Sequence, residues 1–138
     1  MPGLRLARRS RAQGRVVDEL ARRDHCFAEA IARHGRPEPR SSDRGCQTLL
    51  RTIVGQQVSV ASAASVWNKL EAALGEGCAP DALIAADFDA LRACGMSRQK
   101  QGYARSLAEL VMSGALDLEN LPADDEAAIG ELVRIKGI

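Results

Sequence analysis

Apolar residues recur at helical spacing along almost the whole chain, and no stretch alternates apolar and polar as a strand would. Val17, Leu20, Ala21, Phe27, Ala28 and Ile31 predict helix from Val16 to about Arg33, in two pieces broken near Asp24. Gly35-Arg36-Pro37-Glu38-Pro39 ends that unit and reads as a linker. Cys46, Leu49, Leu50, Ile53 and Val54 line one face of the next helix, and Val60, Ala63, Ala64, Trp67, Leu70 and Leu74 line a face of the one after. Pro80 and Asp87 open two short helices, over 81–86 and 88–94. Ser97 caps a helix over 98–113 whose inner face is Tyr103, Leu107, Leu110 and Val111, and Gly114 stops it. The last helix opens at 122–125 with acids at its N-terminus and points Ile129, Leu132 and Val133 inward. It is expected to finish at Arg134 or Ile135, with Gly137 in the position that favours a left-handed residue.

One connection stands out. Residues 49–70 read LLRTIVGQQVSVASAASVWNKL, two apolar runs joined by Gly55-Gln56-Gln57-Val58-Ser59. Glycine lets the chain turn where a side chain would clash. Two adjacent amides, each able to donate and accept, then sit at the tip, and Ser59 is placed to cap the following helix. An amide-tipped turn held by two buried helices suits probing base edges or filling a gap in a base stack. An ordinary helix connection with solvated glutamines has the same pattern. Trp67 falls on the apolar face of its helix, which places it in the core and not against a base.

Composition narrows the class. Aromatics are only 3% of a chain that is 46% hydrophobic, so the core must be built from Ala, Leu, Val and Ile, which suits packed helices. The net charge of +1 hides an asymmetry. Residues 1–69 carry 13 Lys/Arg against 6 Asp/Glu, or +7, and residues 70–138 carry 6 against 12, or −6. A polyanion would be drawn to the first half, although charged helix surfaces alone produce such numbers. Residues 1–14 have four arginines and no acid, and are expected to form a basic disordered arm. Cys26, Cys46, Cys78 and Cys94 are scattered without a CxxC pair, and His25 and His34 form no ligand set with them, so no metal site is expected. Reduced thiols fit a cytoplasmic protein. No apolar run is long enough to span a membrane.

Three blocks carry a family resemblance: IVGQQVSVASAA, then LRACGMSRQK with Tyr103 and LAEL, then LPADDEAAIGELVRIKGI. Their order and spacing resemble the DNA-3-methyladenine glycosylase II family, within the helix-hairpin-helix base-excision glycosylases. The resemblance covers roughly Val16 to the end. It implies an all-α, multi-helix orthogonal bundle, with residues 15–138 as a partial glycosylase domain ending inside the hairpin motif. The family continues after the KGI block with a second glycine, a tryptophan-threonine-alanine run and a catalytic aspartate, so this chain is expected to be a fragment with no catalytic residue of its own.

The resemblance also implies roles. The parent would flip an alkylated base of the 3-methyladenine type out of double-stranded DNA and hydrolyse its N-glycosidic bond in base-excision repair. Gln57 stands where some relatives carry a leucine wedge, with Gln56 beside it facing the duplex and Ser59 holding the tip. Lys136, Gly137 and Ile138 would begin the hairpin that grips phosphate through backbone N–H groups. No organic cofactor is implied; a monovalent cation at the hairpin of the complete protein is compatible with the family. Arg98 and Lys100 are weaker phosphate candidates, for which plain solvation is the alternative. Asp124, Asp125 and Glu126 open a helix and receive no catalytic role. The complete protein is expected to be a monomer. A glycosylase for oxidised or mismatched bases, or a non-catalytic helical DNA-binding or protein-interaction domain, are the competing readings.

Overall fold

The computed structural model describes the backbone of residues 2–37 and 45–138, and the side chains of 13–37 and 45–138. Among the described residues there are eight helices and no strand. The chain divides into two compact units, Met1–Ser42 and Asp43–Ile138, where the sequence suggested an arm followed by one domain. The Gly/Pro-rich stretch falls at that division; its residues 38 and 39 lie outside the described residues.

The first unit is a helical pair, α1 (Pro2–Arg23) and α2 (His25–His34). Helix α1 runs through the segment expected to be a disordered arm. Pro2 stands at the first helical position and Leu, Ala, Arg and Gln outnumber Gly3, Ser10 and Gly14 over residues 2–14, so helix formers dominate the segment and lack of an acid was a poor sign of disorder. The break near Asp24 is a cap: its carboxylate accepts from the N–H groups of Cys26 (2.8 Å) and Phe27 (3.3 Å). The arginines of this unit are partly spent locally. Arg22 and Arg23 reach Glu19 at 2.7 and 2.6 Å, and Arg36 pairs with Asp18. Those hydrogen bonds hold the Glu19 carboxyl below the usual carboxylate range.

The second unit contains α3 (Cys46–Gly55), α4 (Val60–Leu74), α5 (Pro80–Ala85), α6 (Phe88–Ala93), α7 (Arg98–Met112) and α8 (Asp125–Leu132). Helix α7 is its axis, packed by α3, α5 and α6. Its buried face is Gln101, Ala104, Leu107 and Ala108, with Tyr103, Leu110 and Val111 at the margin. The face is therefore rotated from the expected one, because two alanines let neighbouring helices approach and the larger side chains pack around that contact. Gln101 is buried because its amide is satisfied, donating to the carbonyls of Phe88 (3.2 Å) and Met96 (3.1 Å). Arg105 donates to Ile84 O (3.3 Å) and Ala86 O (2.5 Å), closing the C-terminal end of α5.

Helix α3 buries Leu50, Ile53 and Val54 as its periodicity requires, and α4 buries Trp67 and Leu70. The Arg51 guanidinium lies 4.3 Å over the Trp67 ring. Val60 and Ala64, expected on the inner face, are exposed, Val60 by 88%, since the first turn of α4 projects past the core. The chain's end also differs from expectation. Helix α8 stops at Leu132, and the backbone passes through turns to put Ile135 in the core at 0% exposure, while Ile129 (51%) and Val133 (55%) face outward. Arg134 ties this turn down by donating to Ala115 O (2.8 Å) and Glu131 (2.6 Å).

Candidate nucleic-acid interface

Three segments distant in sequence meet at one end of the second unit: the α3–α4 turn, the start of α7 and the residues after α8. They enclose a groove of about 590 Å3, lined by Gln56, Gln57, Val58, Gly95, Ser97, Gln99, Lys100, Tyr103 and Gly137. No carboxylate is among these lining residues.

The turn is built by its own chemistry. Helix α3 ends at Gly55, and Gln56 N–H closes on Ile53 O (3.3 Å). Gln57 then adopts φ +56°, the left-handed region that a side chain occupies only at a cost. Ser59 restarts the helix as expected, its hydroxyl accepting from Ser62 N–H at 3.1 Å. Gln57 is consequently an exposed amide on a strained corner, between two buried helices. Val58 and Val60 flank Ser59, exposed by 45% and 88%; Val58 belongs to the turn read from the sequence, whereas Val60 was expected on the inner face of α4.

Gln56 behaves differently from its neighbour. It is half-buried, and its Nε2 donates to Gly137 O at 2.7 Å, across 81 residues. The sequence placed it facing a duplex; here its donor is engaged by the protein. Gly137 has φ +89°, and a Cβ on it would overlap the Tyr103 ring, so only glycine fits against that aromatic. Tyr103 is steadied in turn by Gln99, whose amide donates to its hydroxyl. Lys136 is exposed and its backbone N–H donates to Ser106 Oγ (3.2 Å); Ile138 N–H returns to Ile135 O (3.2 Å). Thus Gln56, Gln57 and Gly137 come together around one groove, while Ser59 acts from below as a cap.

The remaining candidates separate clearly. Lys100 donates from Nζ to Val54 O at 2.7 Å, meeting a carbonyl in the last turn of α3 that has no helical partner. It is neither a free phosphate contact nor a merely solvated lysine. Arg98 stands 4.6 Å over the Phe88 ring. Asp124 caps α8 by accepting from Ala127 N–H (3.1 Å), with Asp125 and Glu126 in the first turn, as their position implied. Among the described residues no three His, Cys, Asp or Glu side chains are grouped to hold a metal ion, and no helix is long and apolar enough to cross a membrane. Cys78 and Cys94 are buried, and burial pushes the Cys78 thiol up to about 11.

Residues 50–138, which hold the turn, α7 and the glycine against it, match the HhH-GPD superfamily of base excision DNA repair proteins. The chain belongs to that superfamily. It is 31% identical over 98 residues to DNA-3-methyladenine glycosylase 1 of Schizosaccharomyces pombe, covering 67% of this chain and 42% of that protein. Its fold is similar to the crystal structure of a DNA-3-methyladenine glycosidase from Bacillus halodurans (TM-score 0.72, 31% identity, 86% of this chain and 55% of that one). It is also similar to the Schizosaccharomyces pombe 3-methyladenine DNA glycosylase solved in complex with abasic DNA (TM-score 0.74, 27% identity, 83% and 59%). The chain thus spans about half the length of the relatives it matches. The all-α, helix-hairpin-helix glycosylase fold expected from the sequence is the fold of these neighbours.

Proposed function

We propose that this chain is the duplex-engaging part of a base-excision DNA glycosylase that removes alkylated bases of the 3-methyladenine type. The observation that carries the reading is the exposed, strained Gln57 on a turn locked beside Gly137 and the segment that follows α8. A flipped base leaves a gap in the stack, and a rigidly presented side chain can occupy it. The segment 136–138 beside it presents the exposed Lys136, whose ammonium suits a phosphate of the same duplex. The relatives named above carry 3-methyladenine glycosylase or glycosidase names, and one structure was solved on abasic DNA, which supports the substrate class and the partner. Hydrolysis of the glycosidic bond calls for a carboxylate to activate water or stabilise the developing sugar cation. None lines the groove, and the role we assign to the groove is recognition and distortion of the duplex.

Two assays on the 138-residue chain test this. In a fluorescence-anisotropy titration it should bind a duplex carrying a tetrahydrofuran abasic-site analogue more tightly than the undamaged duplex, by about tenfold. Incubated with methylated DNA it should release no 3-methyladenine. Equal affinity for both duplexes would remove the recognition role. Base release would show that a carboxylate of this chain does the chemistry.

A further inference from the structure

We infer that Gln56 is a positioning residue: its side chain holds the segment around Gly137 at a fixed place relative to the Gln57 tip, rather than contacting DNA itself. This rests on the proposed role of Gln57 as the element that enters the duplex. The Gly137 carbonyl can only accept, so the Gln56 atom 2.7 Å away must be its amide nitrogen, and the amide cannot turn over without losing the bond. Gln56 is also the residue immediately after α3, its N–H closing the last turn on Ile53 O. A side chain on that residue is therefore fixed to the helix end, and Gln57 is its next neighbour in the chain.

At the other end of the bond, the peptide group joining Gly137 and Ile138 is held on both sides. Its carbonyl accepts from Gln56, and its N–H donates to Ile135 O. Ile135 is fully buried, so the chain enters this peptide from a fixed point. The Tyr103 ring blocks movement of Gly137 toward α7. What remains is motion away from the groove; Lys136 N–H on Ser106 Oγ restrains the start of the segment, and the Gln56 hydrogen bond opposes that motion at Gly137 itself. An engagement that must place one group in a base stack and another on a nearby phosphate depends on the spacing between them. A flexible pair would lose that spacing; the Gln56 amide sets it.

The test uses the whole chain with Gln56→Met, of similar length but without a donor, Gln56→Glu, which presents an acceptor to the Gly137 carbonyl, and Gln57→Ala. Amide exchange by NMR at Lys136 and Ile138 should quicken by about fivefold in both Gln56 variants and stay unchanged in Gln57→Ala. The Leu107 amide, in the core of α7, should keep its wild-type rate throughout. Binding to the tetrahydrofuran duplex should weaken in Gln56→Met, while affinity for undamaged duplex stays the same. Unchanged exchange at Lys136 and Ile138 would overturn the inference. So would equal acceleration at Leu107, which would make Gln56 a contributor to the fold as a whole. Loss of undamaged-duplex affinity with exchange unmoved would instead place Gln56 on the DNA. If the wild-type chain shows no preference for the abasic analogue, the DNA reading fails, and the exchange rates still decide whether Gln56 holds the segment.

Discussion

Replacing Lys100 by methionine separates two roles that a lysine at the start of a helix can play. Methionine keeps most of the stem and removes the ammonium. In the structure that ammonium donates to Val54 O at 2.7 Å, and the lysine is half-buried. A hydrogen bond from a charged donor is worth about 1.5–3 kcal/mol, and the end of a helix dipole adds a few tenths to that. Partial exposure puts the loss at the lower end, about 1–2 kcal/mol. That is a measurable fraction of the 5–15 kcal/mol typical of a whole domain, and corresponds to a fall in Tm of a few degrees. Urea denaturation would give the stability change. The slope of log Kd for undamaged duplex against log salt would give the number of phosphate contacts, since each contributes about 0.9. The account predicts lower stability with an unchanged slope. Full stability with a slope shallower by about one would mean that Lys100 binds phosphate, and the assigned anchoring of α3 to α7 would be wrong.

Gln57→Gly should leave stability unchanged or raise it by up to about 1 kcal/mol, because glycine relieves the cost of φ +56° while losing more freedom on folding, yet it should weaken binding to the abasic duplex; denaturation and anisotropy on the same variant check both halves. Gly137→Ala should cost more than Gly114→Ala: both have positive φ, but only at Gly137 would the methyl meet the Tyr103 ring, whereas nothing lies near Gly114. The difference, about 1–3 kcal/mol, should shrink when Tyr103→Leu is added. Cys78, with its thiol pushed up to about 11 from an ordinary 9.0, stays protonated in the folded chain where the unfolded chain ionises. Its contribution to stability is therefore intact below pH 9 and lost as pH rises toward 11; a Cys78→Ala variant should show a flatter stability profile across that range.

Helical periodicity made the elements legible, and the caps were legible where a side-chain oxygen preceded an apolar run: Ser59, Asp87, Ser97 and Asp124 all cap as their positions implied. What periodicity could not give was which part of a broad apolar stripe faces the core. On α7 the small Ala104 and Ala108 take the centre, because burial follows how closely neighbours can approach rather than side-chain size. The composition of residues 1–14 suggested an arm, yet helix propensity prevailed and α1 begins at Pro2. At the site, the tip glutamines and the terminal glycine could be picked out one by one. Their connection could not: the Gln56–Gly137 bond spans 81 residues, and no local pattern encodes it. The same holds for Lys100 on Val54 O and for Tyr103 beneath Gly137.

The central claim is that the turn tip enters the duplex. Placing 2-aminopurine next to a tetrahydrofuran abasic analogue reports on it directly, since the fluorescence of this base changes when its stacking partner changes. Adding the chain at saturating concentration should shift the emission of that duplex and leave an undamaged control unaffected. Gln57→Ala, compared at equal occupancy, should lose most of the shift. An unchanged emission on saturation by the wild-type chain, or a shift that Gln57→Ala retains in full, would contradict the claim that Gln57 occupies the gap.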